Sequence, residues 1–106
     1  MRFKLFVFCP EDERVITAVI GAAAAAGAGA IGNYTHCAFI TGGQGNWRTE
    51  PGAHPAIGQV GQMMRVDQVK IELRCPAEQA KAVVEAIRRV HPYEEPVIDV
   101  VRLEDV

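Results

Sequence analysis

The feature that most limits what this chain can fold into is an internal repeat. Phe3-Lys4-Leu5-Phe6-Val7-Phe8-Cys9-Pro10-Glu11 reads against Val69-Lys70-Ile71-Glu72-Leu73-Arg74-Cys75-Pro76-Ala77. Each copy is an extended, apolar-rich segment with lysine second that ends in Cys-Pro and runs into acidic residues (Glu11, Asp12 and Glu13; Glu78). Proline suits a first helical turn, where its missing N–H has no intrahelical partner. Carboxylates there favour the positive end of the helix dipole. Each expected helix stops before a short motif with an aromatic residue, Gly32-Asn33-Tyr34-Thr35-His36 in the first half and His91-Pro92-Tyr93-Glu94-Glu95-Pro96 in the second. Extended chain follows each motif, so the pattern is strand–helix–strand, twice.

The side-chain periodicities give that pattern its layers. In the second helix Ala80, Val83, Val84, Ile87 and Val90 fall on one face and charged residues elsewhere. The first helix is expected to turn Val15, Ala18, Val19, Ala22 and Ala26 inward, with Ile16 and Ile20 beside them, and to stop at Gly27 and Gly29. Two such halves define an α+β, ferredoxin-like split βαβ sandwich (βαββαβ), one antiparallel sheet with two helices on one face. Its strands are predicted near 3–9, 34–41, 66–75 and 96–103, with an extra short strand around Asn46 to Thr49. A Gly/Pro-punctuated stretch from Thr41 through Gly61 joins strands two and three. Loops that long are usually functional or packed by a neighbour, and Trp47 is its natural anchor, on its own subunit or a sister subunit. Strand three alternates cleanly, Val69, Ile71, Leu73 and Cys75 facing in. Strand one does not: Phe6 and Phe8 point to the face that no helix covers. Burying each is worth about 1.5–3 kcal/mol, so the bare face is expected to be covered by other subunits.

At 106 residues the chain has room for a single domain, 1–106. A formal net charge of −2 leaves no basic stripe for nucleic acid. The Ala-rich stretch from Thr17 to Ile31 is too weakly hydrophobic to insert into a membrane, and the apolar N-terminus alternates like a strand and meets acidic residues rather than a cleavage site. Three cysteines without a Cys-x-x-Cys read as reduced thiols. The expectation is a cytoplasmic protein with neither a nucleic-acid nor a membrane partner.

Three motifs in order carry a family resemblance: Ile31-Gly32-Asn33-Tyr34-Thr35-His36-Cys37-Ala38-Phe39; Gly52-Ala53-His54-Pro55-Ala56-Ile57-Gly58 with Gly61; and His91-Pro92-Tyr93-Glu94-Glu95-Pro96. Together, over essentially the whole chain, they resemble the YqfO-type domain, known as an insertion within dinuclear-metal-centre hexameric proteins and also on its own. His91-Pro92-Tyr93 with Pro96 is similar to the C-terminal motif of the CutA divalent-cation tolerance proteins as well. The resemblance implies a PII/CutA-like fold that trimerises with its sheets facing inward. It carries over no hydrolase site, because the metal-binding residues of the large proteins lie in a flanking domain. Where the inserted domain commonly has acidic residues, this sequence has Gln59, Met64 and Gln68, while Glu72 remains.

The residues that carry chemistry are few. His36 with Cys37, His91, and Glu94 with Glu95 are the candidate ligands for a divalent metal ion; imidazole and thiolate, from His36, Cys37 and His91, suit Cu or Zn. No paired histidines or cysteines stand at zinc-ligand intervals, however. The topology also sends the two histidine motifs to opposite ends of one monomer, so His36 and His91 can share an ion only across a subunit interface. The candidate small-ligand residues are Tyr34, Trp47, Glu72, Tyr93, Glu94 and Glu95. The plainer reading of the second motif is turn construction and oligomer contact: Pro92 stops the helix and Pro96 biases Glu95 towards an extended conformation. Catalysis is not expected. His36 and Cys37 are adjacent on a strand and face opposite ways, and Gly42-Gly43-Gln44-Gly45 lacks the Lys-Ser/Thr of a phosphate-binding loop. The sequence therefore points to a non-catalytic trimeric module that binds a small ligand or metal ion. A structural assembly domain is the alternative, and a metal-dependent hydrolase the third.

Overall fold

A computed structural model describes all residues, 1–106. The elements run β1 (Arg2–Pro10), α1 (Glu13–Ala25), β2 (Phe39–Arg48), β3 (Met63–Pro76), a 3-10 turn (Ala77–Gln79) leading into α2 (Ala80–Val90), and β4 (Ile98–Leu103). The four strands form one antiparallel sheet in the order β2-β3-β1-β4, the split βαβ arrangement expected from the repeat. No helix is long and apolar enough to cross a membrane.

The core forms where the alternation of β1 and β3 meets the helices. Leu5, Val7 and Cys9 pair in register with Leu73, Ile71 and Val69, and all six are buried with Ile16, Val19 and Ala23 of α1 and Ala80, Val83 and Ile87 of α2. Both helices therefore cover the same face. The buried stripe of α1 is rotated from the expected one: Ile16, Val19 and Ala23 lie deepest while Ala18 is exposed. The bulkier Ile16 contributes more apolar area than an alanine, so the helix turns to bury it.

Three local expectations are corrected. First, β2 starts at Phe39 and runs to Arg48, so Gly42-Gly43-Gln44-Gly45 is strand and the predicted strand at Asn46 is its continuation. Residues 34–38 are irregular instead. Glycines weaken a strand through entropy and missing side chains, yet here β3 offers a complete ladder, with Gly42 opposite Val69 and Gly45 opposite Val66. Second, β3 begins at Met63; its residues 63–67 pair only with β2, so the two strands form an arm beyond the core and the molecule is 46 Å long but 25 and 24 Å across. Third, Pro10 and Pro76 close strands rather than opening helices. The N-cap of α1 is Asp12, whose carboxylate accepts the Arg14 N–H at 2.8 Å, whereas Gln79 caps α2 without a side-chain hydrogen bond.

The two ends of the chain meet in space. Arg2 lies opposite Leu103, its guanidinium is 2.9 Å from the Asp105 carboxylate, and the Ala77 N–H donates to the Met1 carbonyl at 3.0 Å.

Candidate ligand-binding site

The face of the sheet away from the helices carries Phe6 and Phe8 of β1 and, by register, Lys70 and Glu72 of β3. Its phenylalanines are not left bare: Phe6 and Phe8 are both half-buried by the chain itself. The Lys70 ammonium sits 5.5 Å above the Phe6 ring, and Phe8 forms part of a cleft wall. Phe39, two strands across, is the aromatic that stays 67% exposed.

The cleft is built from the second helix-to-strand joint and the loop after β2. His91 ends α2 and is buried. Its Nδ1 accepts the Tyr93 N–H at 3.1 Å, which leaves the proton on Nε2, 2.8 Å from the Phe8 carbonyl that accepts it. Burial lowers the His91 pKa below the ordinary histidine value, against the opposing pull of the Phe8 carbonyl. With the joint pinned to β1 in this way, the Tyr93 ring packs on His91 (centroids 5.1 Å) and on Trp47 (5.9 Å). The Tyr93 hydroxyl accepts from Gln68 Nε2 at 2.9 Å. Gly45 is what lets Gln68 cross the sheet there, since a Cβ at that position would collide with the Gln68 amide.

Residues 49–62 fold over the same end. The loop is closed at its neck by the Thr49 N–H to the Gln62 carbonyl (3.3 Å) and the Gly61 N–H to the Thr49 carbonyl (2.7 Å). It is tied to the joint by the His54 N–H, which donates to the Glu94 carboxylate at 2.9 Å. Between loop, joint and sheet lies a cleft of about 610 Å³. Phe8, Trp47, Pro55, Ile57 and Val97 supply its apolar surface. Its wall also contains Thr49, which is 5% exposed and whose hydroxyl has no hydrogen-bond partner. A buried hydroxyl without a partner costs about 1–3 kcal/mol.

Trp47, Tyr93, Glu94 and Glu95 thus meet in one place; Tyr34 and Glu72 lie elsewhere. Tyr34 is 74% exposed in the first joint, where it and Ile31 exchange both backbone hydrogen bonds. Glu72 is ion-paired to Lys4 (3.3 Å) and Lys70 (3.7 Å) and lines a smaller hollow of about 220 Å³ with Cys37 and Phe39. Sequence reasoning misses Thr49, Gln68 and Gly45 as site residues. A threonine at a strand end carries no signal of its own, and the role of Gln68 emerges only once β2 and β3 are in register.

His36, Cys37 and His91 do not make a metal site within one chain. His36 is exposed at φ 58°, its Nδ1 3.0 Å from the Thr35 hydroxyl. The Cys37 thiol donates to the Thr35 carbonyl at 3.8 Å. The Cys37 N–H bonds Gly29, whose own N–H bonds Arg74 at the far end of β3, while His91 sits by Phe8 with both ring nitrogens in use. No three His, Cys, Asp or Glu side chains are close enough to share an ion. All three cysteines are free. Burial, with Asp12 adding, pushes the Cys9 thiol up to about 11, and burial raises Cys75, Glu78 contributing; both behave as core side chains rather than nucleophiles.

The fold is that of a CutA-like α+β sandwich. The structure of the divalent cation tolerance protein CutA1 from Thermus thermophilus superposes with a TM-score of 0.72 at 15% identity, covering 100% of this chain and 87% of that one. The periplasmic CutA of Archaeoglobus fulgidus gives 0.67 at 14% over 100% and 87%. Similarity in sequence leads to a different group. A Bacillus cereus protein related to NIF3 is 38% identical with a TM-score of 0.82, over 98% of this chain and 26% of that one. The GTP cyclohydrolase 1 type 2 homolog of Bacillus subtilis (strain 168) is 41% identical over 102 residues, 95% of this chain and 26% of its own length. That of Mycobacterium tuberculosis is 40% identical over 100 residues, 94% and 26%. No family model matches the chain. In sequence the chain matches a domain-sized stretch of the NIF3-related proteins and in fold it is CutA-like; it spans about a quarter of the length of the relatives it matches.

Proposed function

We propose that the chain is a non-catalytic module that binds a small ligand in the cleft beside Trp47 and works as a trimer. One observation carries this reading. A cleft of about 610 Å³ has an indole and a phenol ring on its walls, and the buried Thr49 among its lining residues keeps a hydroxyl that nothing in the chain satisfies. Such a volume and apolar lining are what small-molecule sites present. Trp47 is the only tryptophan, so its emission reports occupancy directly. Titration with a panel of small organic molecules should give saturable changes that vanish in Tyr93→Ala, together with a raised melting temperature. A panel without one saturating member would overturn the proposal.

The trimer is supported by apolar side chains left on the surface, Phe39 at 67% exposure where β2 begins and Met63 at 62% where β3 begins. Sedimentation equilibrium should return three times the chain mass; a monomer at micromolar concentration would contradict it. The same surfaces favour the second reading, a structural interaction domain, which predicts the trimer without any ligand. Free, largely buried thiols fit a reducing, cytoplasmic setting. A Cu or Zn site would have to form between subunits, and calorimetry of the demetallated trimer with either ion tests it. A hydrolase role, which the name of the longer relatives raises, is the weakest reading, because this chain spans only about a quarter of those relatives.

A further inference from the structure

The charges around the cleft restrict what can enter it, if the reading of the cleft as a ligand site is right. Four carboxylates line it, Glu50, Glu94, Glu95 and Asp99, against a single guanidinium, Arg48. Arg48 is already committed: its Nε lies 3.5 Å from Glu50. Glu94 is partly satisfied by the His54 N–H. Glu95 and Asp99, which also line the cleft, have neither an ion-pair nor a hydrogen-bond partner, and both are exposed. Trp47 and Tyr93 line the same cleft with their rings inclined at 57°, and ring faces carry negative potential that attracts a cation. Thr49, 5% exposed, is also among the lining residues, and its hydroxyl has no hydrogen-bond partner. The cleft therefore combines uncompensated negative charge with an aromatic lining.

We infer that the cleft selects a small organic cation with a flat, ring-containing body, and rejects anions, nucleoside triphosphates among them. The cationic head meets Glu95 and Asp99, and the ring lies against Trp47 and Tyr93. A triphosphate would lie against carboxylates with no free cation to receive it, and like charges facing one another exclude a partner. GTP accordingly does not fit this cleft, whatever the longer relatives do elsewhere in their chains.

Three compounds with one ring and three charges test this: benzamidine (cation), benzamide (neutral) and benzoate (anion), with GTP as a fourth. Binding is read by calorimetry and by Trp47 emission at pH 7.5. Benzamidine should bind at least tenfold more tightly than benzamide, and weaken with added salt; benzoate and GTP should not saturate. The double substitution Glu95→Gln with Asp99→Asn, at two exposed positions, should bring benzamidine down to benzamide's affinity while leaving benzamide's unchanged. Equal affinity for benzamide and benzamidine, or tighter binding of benzoate or GTP, overturns the cation selectivity and leaves the cleft as a ligand site. Failure of all four compounds overturns both this inference and the cleft's proposed role. An unchanged melting curve for the double variant excludes misfolding as the cause of any loss.

Discussion

The two helix-to-strand joints occupy the same position in the two halves of the repeat, and they have become different objects. The first, residues 26–38, is held by backbone: Gly29 bonds Arg74 and Cys37, and Ile31 and Tyr34 bond each other. Its aromatic and its histidine face solvent. The second, 91–97, is held by side chains: His91 is buried against β1, Tyr93 is wedged between His91 and Trp47, and Glu94 reaches the loop after β2. The difference teaches that a repeated topology dictates where a chain must turn, not what the turn becomes. That depends on what packs on it. Beside the second joint lies the arm's Trp47 and the loop after it; beside the first there is only a shallow hollow.

Substitutions at matched positions can break this contrast. The largest expected difference is at the histidines. His91→Ala strands the Phe8 carbonyl and the Tyr93 N–H and opens a cavity, costing about 3 kcal/mol, whereas His36→Ala should stay within about 0.5 kcal/mol. Denaturant midpoints at unchanged slope measure both, and equal losses would erase the distinction. At the tyrosines, Tyr93→Ala should cost about 2 kcal/mol through lost ring contacts and the Gln68 bond. It should also shift Trp47 emission to the red, while Tyr34→Ala changes neither. The helix starts extend the comparison to the whole halves: Asp12→Ala removes a cap worth about 1 kcal/mol, and Gln79→Ala, which removes none, should cost no more than a few tenths. The smallest effect is a slope. The folded chain holds His91 neutral below its ordinary pKa, so the unfolded chain takes up a proton first as pH falls. The stability tied to this residue is full above about 6.5 and is lost as pH drops through the lowered folded value. Melting between pH 7.5 and 5 should fall less steeply in His91→Gln than in the parent; parallel curves would show that the imidazole stays as accessible to protons as in the unfolded chain.

Much of the architecture was legible because its determinants are local. The alternation of Val69, Ile71, Leu73 and Cys75 and the spacing of Ala80, Val83 and Ile87 give strand and helix faces directly, and the repeat supplies the topology. The extent of β2 was not legible. Three glycines within four residues erase the alternation that marks a strand, and what holds them extended is the ladder to β3, a contact between distant segments. The cleft was legible in its parts, since Trp47, Tyr93, Glu94 and Glu95 are conspicuous residue types. Their meeting depends on the bond from His54 to Glu94, 40 positions apart, and on a glycine that lets Gln68 lie across the sheet. The odd member, Thr49, is notable only for a bond it lacks, which no residue type announces.

The pairing of Arg2 with Leu103, reinforced by the ion pair to Asp105, has a consequence for how such a fold can be handled. Strands that enter and leave side by side form a plug with both leads at one socket. A host protein can accept it in a surface loop by opening one peptide bond, with no need to span the 46 Å length of the body. Joining the two leads by a short linker and cutting the chain instead within residues 49–62 would give a permuted molecule with the same sheet.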